Sequence, residues 1–216
     1  MALVIRTWNV FHGNTDPPGR RAYLRQMVEL VTRDKPDVVC LQELPVWSLP
    51  RLSAWSGMHA VGAVARRPLL RRGAKAITDI HHGRLRSALT GEAGAILSTR
   101  PATDLGVTVV GEKRLRRIAQ TVELDGVTVV NFHVDGDEAQ LERVLALPGD
   151  RAVVAGDTNL RRRAADGYSP PLEGSIDQIY VRGLEVLEPP RAWPVERRTL
   201  DGRVLSDHAP VEAVVE

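Results

Sequence analysis

Short apolar runs, each closed by one or two polar residues, dominate the chain and predict strands more often than helices. Leu3-Val4-Ile5 leads into Thr7-Trp8-Asn9 and reads as a first strand. Val38-Val39-Cys40-Leu41, within Asp37 to Gln42, is continuously apolar, as expected of a strand covered on both faces. Ala93 to Leu97, Val107 to Val110, Ala152 to Ala155, Ile176 to Val181 and Ala209 to Val215 also read as strands. Weaker strand signals lie at Ala60 to Ala65 and Ala74 to Ile80. Ile118 to Leu124 and Val127 to Phe132 flank Asp125-Gly126. That arrangement predicts a hairpin, because a type I′ turn needs positive φ at both central residues.

Helical spacing is confined to fewer places. From Arg20 to Asp34 the residues Leu24, Met27, Val28 and Val31 recur on one face, and Pro36 follows where a helix should stop. A short helix is expected around Leu49 to Trp55 and another over Glu138 to Leu147. Pro170-Pro171 and Pro189-Pro190 read as loop punctuation. Hairpins mixed with helical crossovers predict an α/β fold of mixed sheets covered from outside by helices.

Composition narrows this picture. A chain of 216 residues, 43% hydrophobic, supports one sizeable core, so residues 1–216 are expected to form a single domain. Aromatics are only 4%, so that core should be built of Val, Leu, Ala and Ile. The net charge of +2 gives a weak overall field, yet arginines clump at Arg66-Arg67, Arg71-Arg72, Arg116-Arg117, Arg161 to Arg163 and Arg197-Arg198. Such clusters hold phosphate or simply solvate a surface. Arg116 and Arg117, just before a strand, are candidates for contacting a substrate phosphate; a solvated sheet edge is the other reading. The single cysteine, Cys40, lies in an apolar run and reads as a small buried hydrophobe. With no internal disulfide, no evident signal peptide and no membrane-length apolar run, a reducing, cytoplasmic setting without integral membrane association is expected.

The informative pattern is where the polar residues fall. Asn9, Glu43, His133 and Asp157 each follow an apolar strand at its C-terminal end. Asp207-His208 precedes the last strand, and Asp177 sits within another. A polar residue at a strand end is commonly a turn former. Six such placements, all Asp, Glu, Asn or His, fit a site carried on rigid strands better than a set of turns. Hard cations such as Mg²⁺ take oxygen ligands, which Glu43, Asp207 and Asn9 supply. Phosphoester hydrolysis needs a positioned water, a base and donors around the phosphoryl oxygens. Asp157 suits the base, Asn159 its orientation, and His133 and His208 the donors. His81-His82 are assigned no role; His12-Gly13, just after Asn9, either borders the cleft or forms a turn, and the turn is preferred.

Together, Thr7-Trp8-Asn9, Asp37 to Glu43, Asn131-Phe132-His133, Gly156-Asp157-Thr158-Asn159, Ser175-Ile176-Asp177 and Ser206-Asp207-His208 resemble the endonuclease/exonuclease/phosphatase superfamily, in the family's order. Its members include deoxyribonuclease I and the tyrosyl-DNA phosphodiesterases. The resemblance implies a four-layer α/β sandwich: two packed mixed β-sheets flanked by α-helices. It implies Glu43 as the main metal ligand, helped by Asn9 and Asp207, with Mg²⁺ the usual ion and Mn²⁺ a substitute. It implies that Asp157 orients or deprotonates the attacking water, that Asn159 and His133 contact the phosphate, that Asp177 supports this network, and that His208 stabilises the transition state. The chain departs from the family in several places, among them Thr158 where Phe is common and the absent extended inositol 5-phosphatase motif around Asp177. Ala93-Gly94 replaces the usual Gly-Asn, so no role is assigned there, and Leu44-Pro45 follows Glu43 where repair nucleases carry Thr-Lys.

Three functions compete. A phosphodiesterase acting on DNA or RNA is favoured by the arginine clusters, although aromatics interleaved for stacking single strands are missing from the sequence. A phosphatase or phosphodiesterase acting on a small soluble phosphate ester or lipid head group fits the compact length. A non-catalytic binding protein would not need every principal acid, amide and histidine. The expected state is a monomer.

Overall fold

The computed structural model describes residues 2–19, 21–69, 89–112, 115–161 and 164–216. The expected strand at Ala74 to Ile80, Arg71-Arg72, His81-His82, Arg162 and Arg163 lie outside the described residues. Strands β1 (Leu3–Asn9), β3 (Val38–Leu44), β4 (His59–Arg66), β5 (Glu92–Ser98), β11 (Val186–Ala192) and β14 (Val211–Val215) form one sheet, in the order β11-β14-β1-β3-β5-β4. Strands β6 (Thr103–Gly111), β7 (Arg117–Leu124), β8 (Val127–His133), β9 (Ala152–Asp157) and β10 (Asp177–Arg182) form the second, in the order β10-β9-β8-β7-β6. The short strands β2 (Thr15–Asp16), β12 (Thr199–Leu200) and β13 (Arg203–Leu205) make a third, small sheet. Both large sheets are mixed: β1 runs parallel to β3 and β8 parallel to β9, while their other pairings are antiparallel.

Side-chain alternation explains how the layers stack. Along β1, Ile5 points between the sheets, while Trp8 points outward. The inner layer is Ile5, Val38, Cys40 and Ile96 from one sheet against Val129, Val153, Ala155 and Ile179 from the other. The outer face of the first sheet is covered by α1 (Leu24–Val31) and α2 (Leu52–Ser56), through Leu24, Met27, Val31 and Leu52 on Trp8, Val39 and Leu41. The outer face of the second is covered by α3 (Glu138–Leu145), through Leu141 and Val144 on Val130, Phe132 and Val154. This is the four-layer α/β sandwich that the resemblance implied. Among the described residues no helix is long and apolar enough to cross a membrane.

Three elements differ from expectation. The helix expected near Leu49 is a 3₁₀ turn, Val46–Arg51, running into α2; Pro50 has no N–H to donate to a longer ladder. The amphipathic helix is shorter than the segment Arg20 to Asp34 and spans only its apolar stripe, Leu24 to Val31. Pro189-Pro190, expected in a loop, lies within β11. That strand is an edge, bonded on one side only and broken by bulges, where proline's missing N–H costs no ladder bond.

Candidate active site

The strand ends converge at one mouth of the sandwich. On β8 the inner face carries Val129, then Asn131 and His133; on β9 it carries Val153, Ala155 and Asp157. The parallel register pairs His133 with Asp157, and the antiparallel register of β10 pairs Asp177 with Asp157. Gly156 permits that pairing, since a Cβ there would lie 2.0 Å from the Phe132 carbonyl oxygen. Facing them, β1 delivers Asn9 at its end.

Glu43 arrives differently. Strict alternation along β3 would send it outward with Val39 and Leu41, away from Cys40. Its φ of 54° and a register break between Leu41 and Leu44 turn it inward and return Leu44 to the outer layer. Bulges recur beside active sites because they re-aim one side chain. Phe11, His12, Asn159 and Ser206, all in the loops around the same mouth, also hold positive φ.

The side chains form one network. Asn9 Nδ2 donates to Glu43 Oε1 at 3.1 Å and to Asp157 Oδ2 at 3.0 Å, while Asn9 Oδ1 accepts the Phe11 N–H at 3.0 Å. The amide must face this way, since an oxygen could not sit between two carboxylates. Asn9, expected as an oxygen ligand, therefore bridges Glu43 and Asp157. Asp157 also accepts the Asn159 N–H at 2.8 Å. His133 Nε2 lies 3.2 Å from Asn159 Nδ2, 3.5 Å from Asp157 and 4.0 Å from Glu43. His208 Nδ1 lies 2.8 Å from Asp177 Oδ2, and its Nε2 is 3.9 Å from Asp157 and 4.0 Å from Asp207. Ser206 ties the last loop down, donating from Oγ to the Asn9 carbonyl at 2.7 Å and accepting the His208 N–H at 3.1 Å. Trp8 Nε1 donates to the His208 carbonyl at 2.9 Å.

The expected residues Asn9, Glu43, His133, Asp157, Asn159, Asp177, Asp207 and His208 thus gather around one crevice. Arg116 and Arg117 sit on its flank and are held by protein acceptors. Arg117, buried, pairs with Glu92 and Asp135, each at 2.6 Å, and lies 3.1 Å from His133 Nδ1. Arg116 donates to the Val64 and Ala65 carbonyls.

Two residues of the network went unassigned in the sequence. Glu92 lies 3.4 Å from His133 Nδ1, on the side opposite the crevice. The buried His12 places Nε2 3.7 Å from Glu43 Oε2. Glu92 carried the same signature as the others, an acid at the boundary of an apolar run, but at the run's beginning.

Burial and charge set the protonation states. Burial would lower His208, but Asp177, Asp157 and Asp207 outweigh it and raise it to about 9. Burial is likewise overcome at His133, raised by Glu92, Asp157 and Glu43. Burial pushes Glu92 up, yet His133 and Arg117 hold it down at about 2. Burial pushes Asp207 up, and the nearby Glu43 adds to this against the pull of His208. The result is two imidazolium-prone histidines beside a concentration of carboxylates.

The donor set fits a hard divalent cation. Glu43, Asp157 and Asp207 offer oxygens, and the mutual repulsion of Glu43 and Asp207 is what such an ion relieves. Asp157, Asp177 and His208 also present one ligand atom each within 4.8 Å of one another. Because His208 Nδ1 is engaged by Asp177, the oxygen-rich side at Glu43 suits such an ion better.

Solved structures share this fold. An endonuclease/exonuclease/phosphatase from Beutenbergia cavernae superposes with a TM-score of 0.70 at 18% identity, over 100% of this chain and 71% of that one. A humanized D. rerio TDP2 gives 0.65 at 19% identity, over 100% and 99%. An endonuclease/exonuclease/phosphatase from Bacteroides vulgatus gives 0.65 at 18%, over 100% and 99%. No curated protein matches the sequence significantly. The model of the endonuclease/exonuclease/phosphatase family matches residues 7–208, bracketing Asn9 to His208, and the chain belongs to that family.

Proposed function

We propose that this chain is a Mg²⁺-dependent phosphodiesterase that cleaves nucleic acid by attack of water on phosphorus. The observation that carries this reading is the meeting of Glu43, Asp157, Asn159, His133 and the His208–Asp177 pair in one crevice. Mn²⁺ is an alternative ion. When bound, the ion supplies positive charge to the phosphoryl oxygens. Glu43 and Asp207 would hold it, with Asn9 fixing the carboxylate of Glu43.

The chain's own groups do the rest. Asp157, fixed by Asn9 and by the Asn159 N–H, orients a water and takes its proton as the new P–O bond forms. Asn159 and His133 contact one phosphoryl oxygen. His208, kept protonated by Asp177, donates from Nε2 to charge that develops as the ester P–O bond breaks. The departing oxygen takes its proton from solvent.

Nucleic acid is favoured over a small ester by Arg66, Arg67 and Arg116, which line one surface pocket. Cleavage of plasmid DNA, short RNA, bis-p-nitrophenyl phosphate and p-nitrophenyl phosphate should be compared. Plasmid nicking that falls steeply with salt supports the nuclease reading. Preference for the monoester selects a phosphatase acting on a small soluble ester or lipid head group. No metal-dependent turnover on any of the four leaves the fold in a binding role.

A further inference from the structure

Beside the crevice, aromatic and basic side chains that are scattered in sequence come together in space. Arg21, Leu24, Arg25, Trp47, Arg51 and Trp55 line one groove. The rings of Trp47 and Trp55 meet edge to face, 6.1 Å apart, and both are only partly buried. Arg51 lies 5.3 Å from the Trp47 ring centre, and Arg21 lies 5.1 Å from that of Tyr23. The three arginines are exposed, and Arg25 pairs with Glu29 at 2.7 Å. The groove is therefore cationic and lined by two partly exposed indoles, one of which carries Arg51 over its ring.

Its position ties it to the active site. Trp47 follows Glu43 by four residues, on the loop that leaves β3. Leu24, in the groove wall, packs so tightly on Gly13 that a Cβ there would lie 2.8 Å from it. Gly13 adjoins His12, which is 3.7 Å from Glu43. The two loops that place Asn9's neighbours and Glu43's neighbours thus build both the crevice and the groove.

We infer that this groove binds a single-stranded nucleic-acid segment leading away from the scissile phosphate, with bases stacking on Trp47 and Trp55 and phosphates held by Arg21, Arg25 and Arg51. The inference rests on the nuclease reading above. Stacking platforms alternating with arginines are the chemistry that unpaired bases need, and a duplex hides the base faces they would use. The aromatics expected to be missing for single strands are present, but brought together by the fold.

The test is a titration of ten-nucleotide oligothymidylate into the full chain carrying Asp157→Asn, in EDTA, followed by tryptophan emission. Trp8 and Trp193 are buried, so Trp47 and Trp55 report on the groove. Quenching is expected, with weaker binding of a ten-base-pair duplex. Trp55→Ala should weaken the single-strand affinity roughly five- to a hundredfold. Arg21→Ala and Arg51→Ala should each lower the slope of log affinity against log salt by about 0.7, which keeps the inference testable if Trp55→Ala misfolds. Heparin, which offers charge without bases, should bind without quenching. Equal binding of duplex and single strand, equal quenching by heparin, or unchanged affinity in folded variants overturns the inference. Hydrolysis of bis-p-nitrophenyl phosphate by the chain with Asp157 restored separates the two readings. All three groove variants should keep its rate, so binding lost with hydrolysis kept in the parent sinks the groove, and hydrolysis absent with binding kept sinks the phosphodiesterase.

Discussion

His208 Nδ1 is held 2.8 Å from Asp177 Oδ2, which aims its Nε2 towards Asp157 at 3.9 Å. A carboxylate behind an imidazole fixes its orientation and favours its charged form. The folded value of about 9 lies above the ordinary 6.5, so the pair's contribution to stability is complete below pH 6.5. That contribution is lost as pH rises through about 9. Asp177→Asn should bring the His208 midpoint down and shift the alkaline limb of the rate profile to lower pH. Imidazole NMR titration of metal-free protein checks this; an unmoved midpoint means that Asp177 does not set it.

Asp157 is fixed by Asn9 Nδ2 and by the Asn159 N–H, which makes it the carboxylate assigned as base. Asp157→Ala should lower kcat on bis-p-nitrophenyl phosphate by about 10²- to 10⁴-fold with little change in circular dichroism. Full activity in added Mg²⁺ would remove Asp157 from the mechanism.

Chelation should abolish the proposed hydrolysis, and Mg²⁺ or Mn²⁺ should restore it. Because Asn9 bonds both Glu43 and Asp157, Asn9→Ala should raise the Mg²⁺ needed for half-maximal rate roughly 10- to 100-fold. Calorimetric Mg²⁺ binding gives the same comparison without turnover. Activity that survives exhaustive chelation contradicts the metal role.

Arg117 sits between Glu92 and Asp135, all largely buried, and Glu92 also holds His133. Arg117→Ala leaves those carboxylates without their main cation and should cost about 3–5 kcal/mol in urea unfolding. Glu92, held at about 2 against an ordinary 4.5, stabilises the fold above pH 4.5. That part is lost as pH falls towards 2, so the acid limb of the stability curve should be steeper in native protein than in Glu92→Gln.

Much of the site was legible in the sequence because strand alternation is a local rule. Once Val129 and Ala155 are inner residues, period two places His133 and Asp157 on the same inner face, whatever the rest of the chain does. The ordered motifs from Thr7-Trp8-Asn9 to Ser206-Asp207-His208 supplied the remaining link, and with it the four-layer fold. What only tertiary structure decided depends on partners far apart in the chain. Glu43 reaches the crevice because its strand bulges against β5, breaking the parity that sequence reading relies on. Glu92 joins His133, and Arg117 turns from substrate to carboxylates, because two sheets bring β5 and β7 face to face. The prolines of β11 are tolerated because that strand is an edge. Trp47 and Trp55 become one surface with Arg21 only when the Val46–Arg51 turn and α2 pack beside α1. Alternation propagates along the backbone from residue to residue, whereas a bulge, an edge or a buried ion pair is fixed by the long-range contacts that compensate its cost.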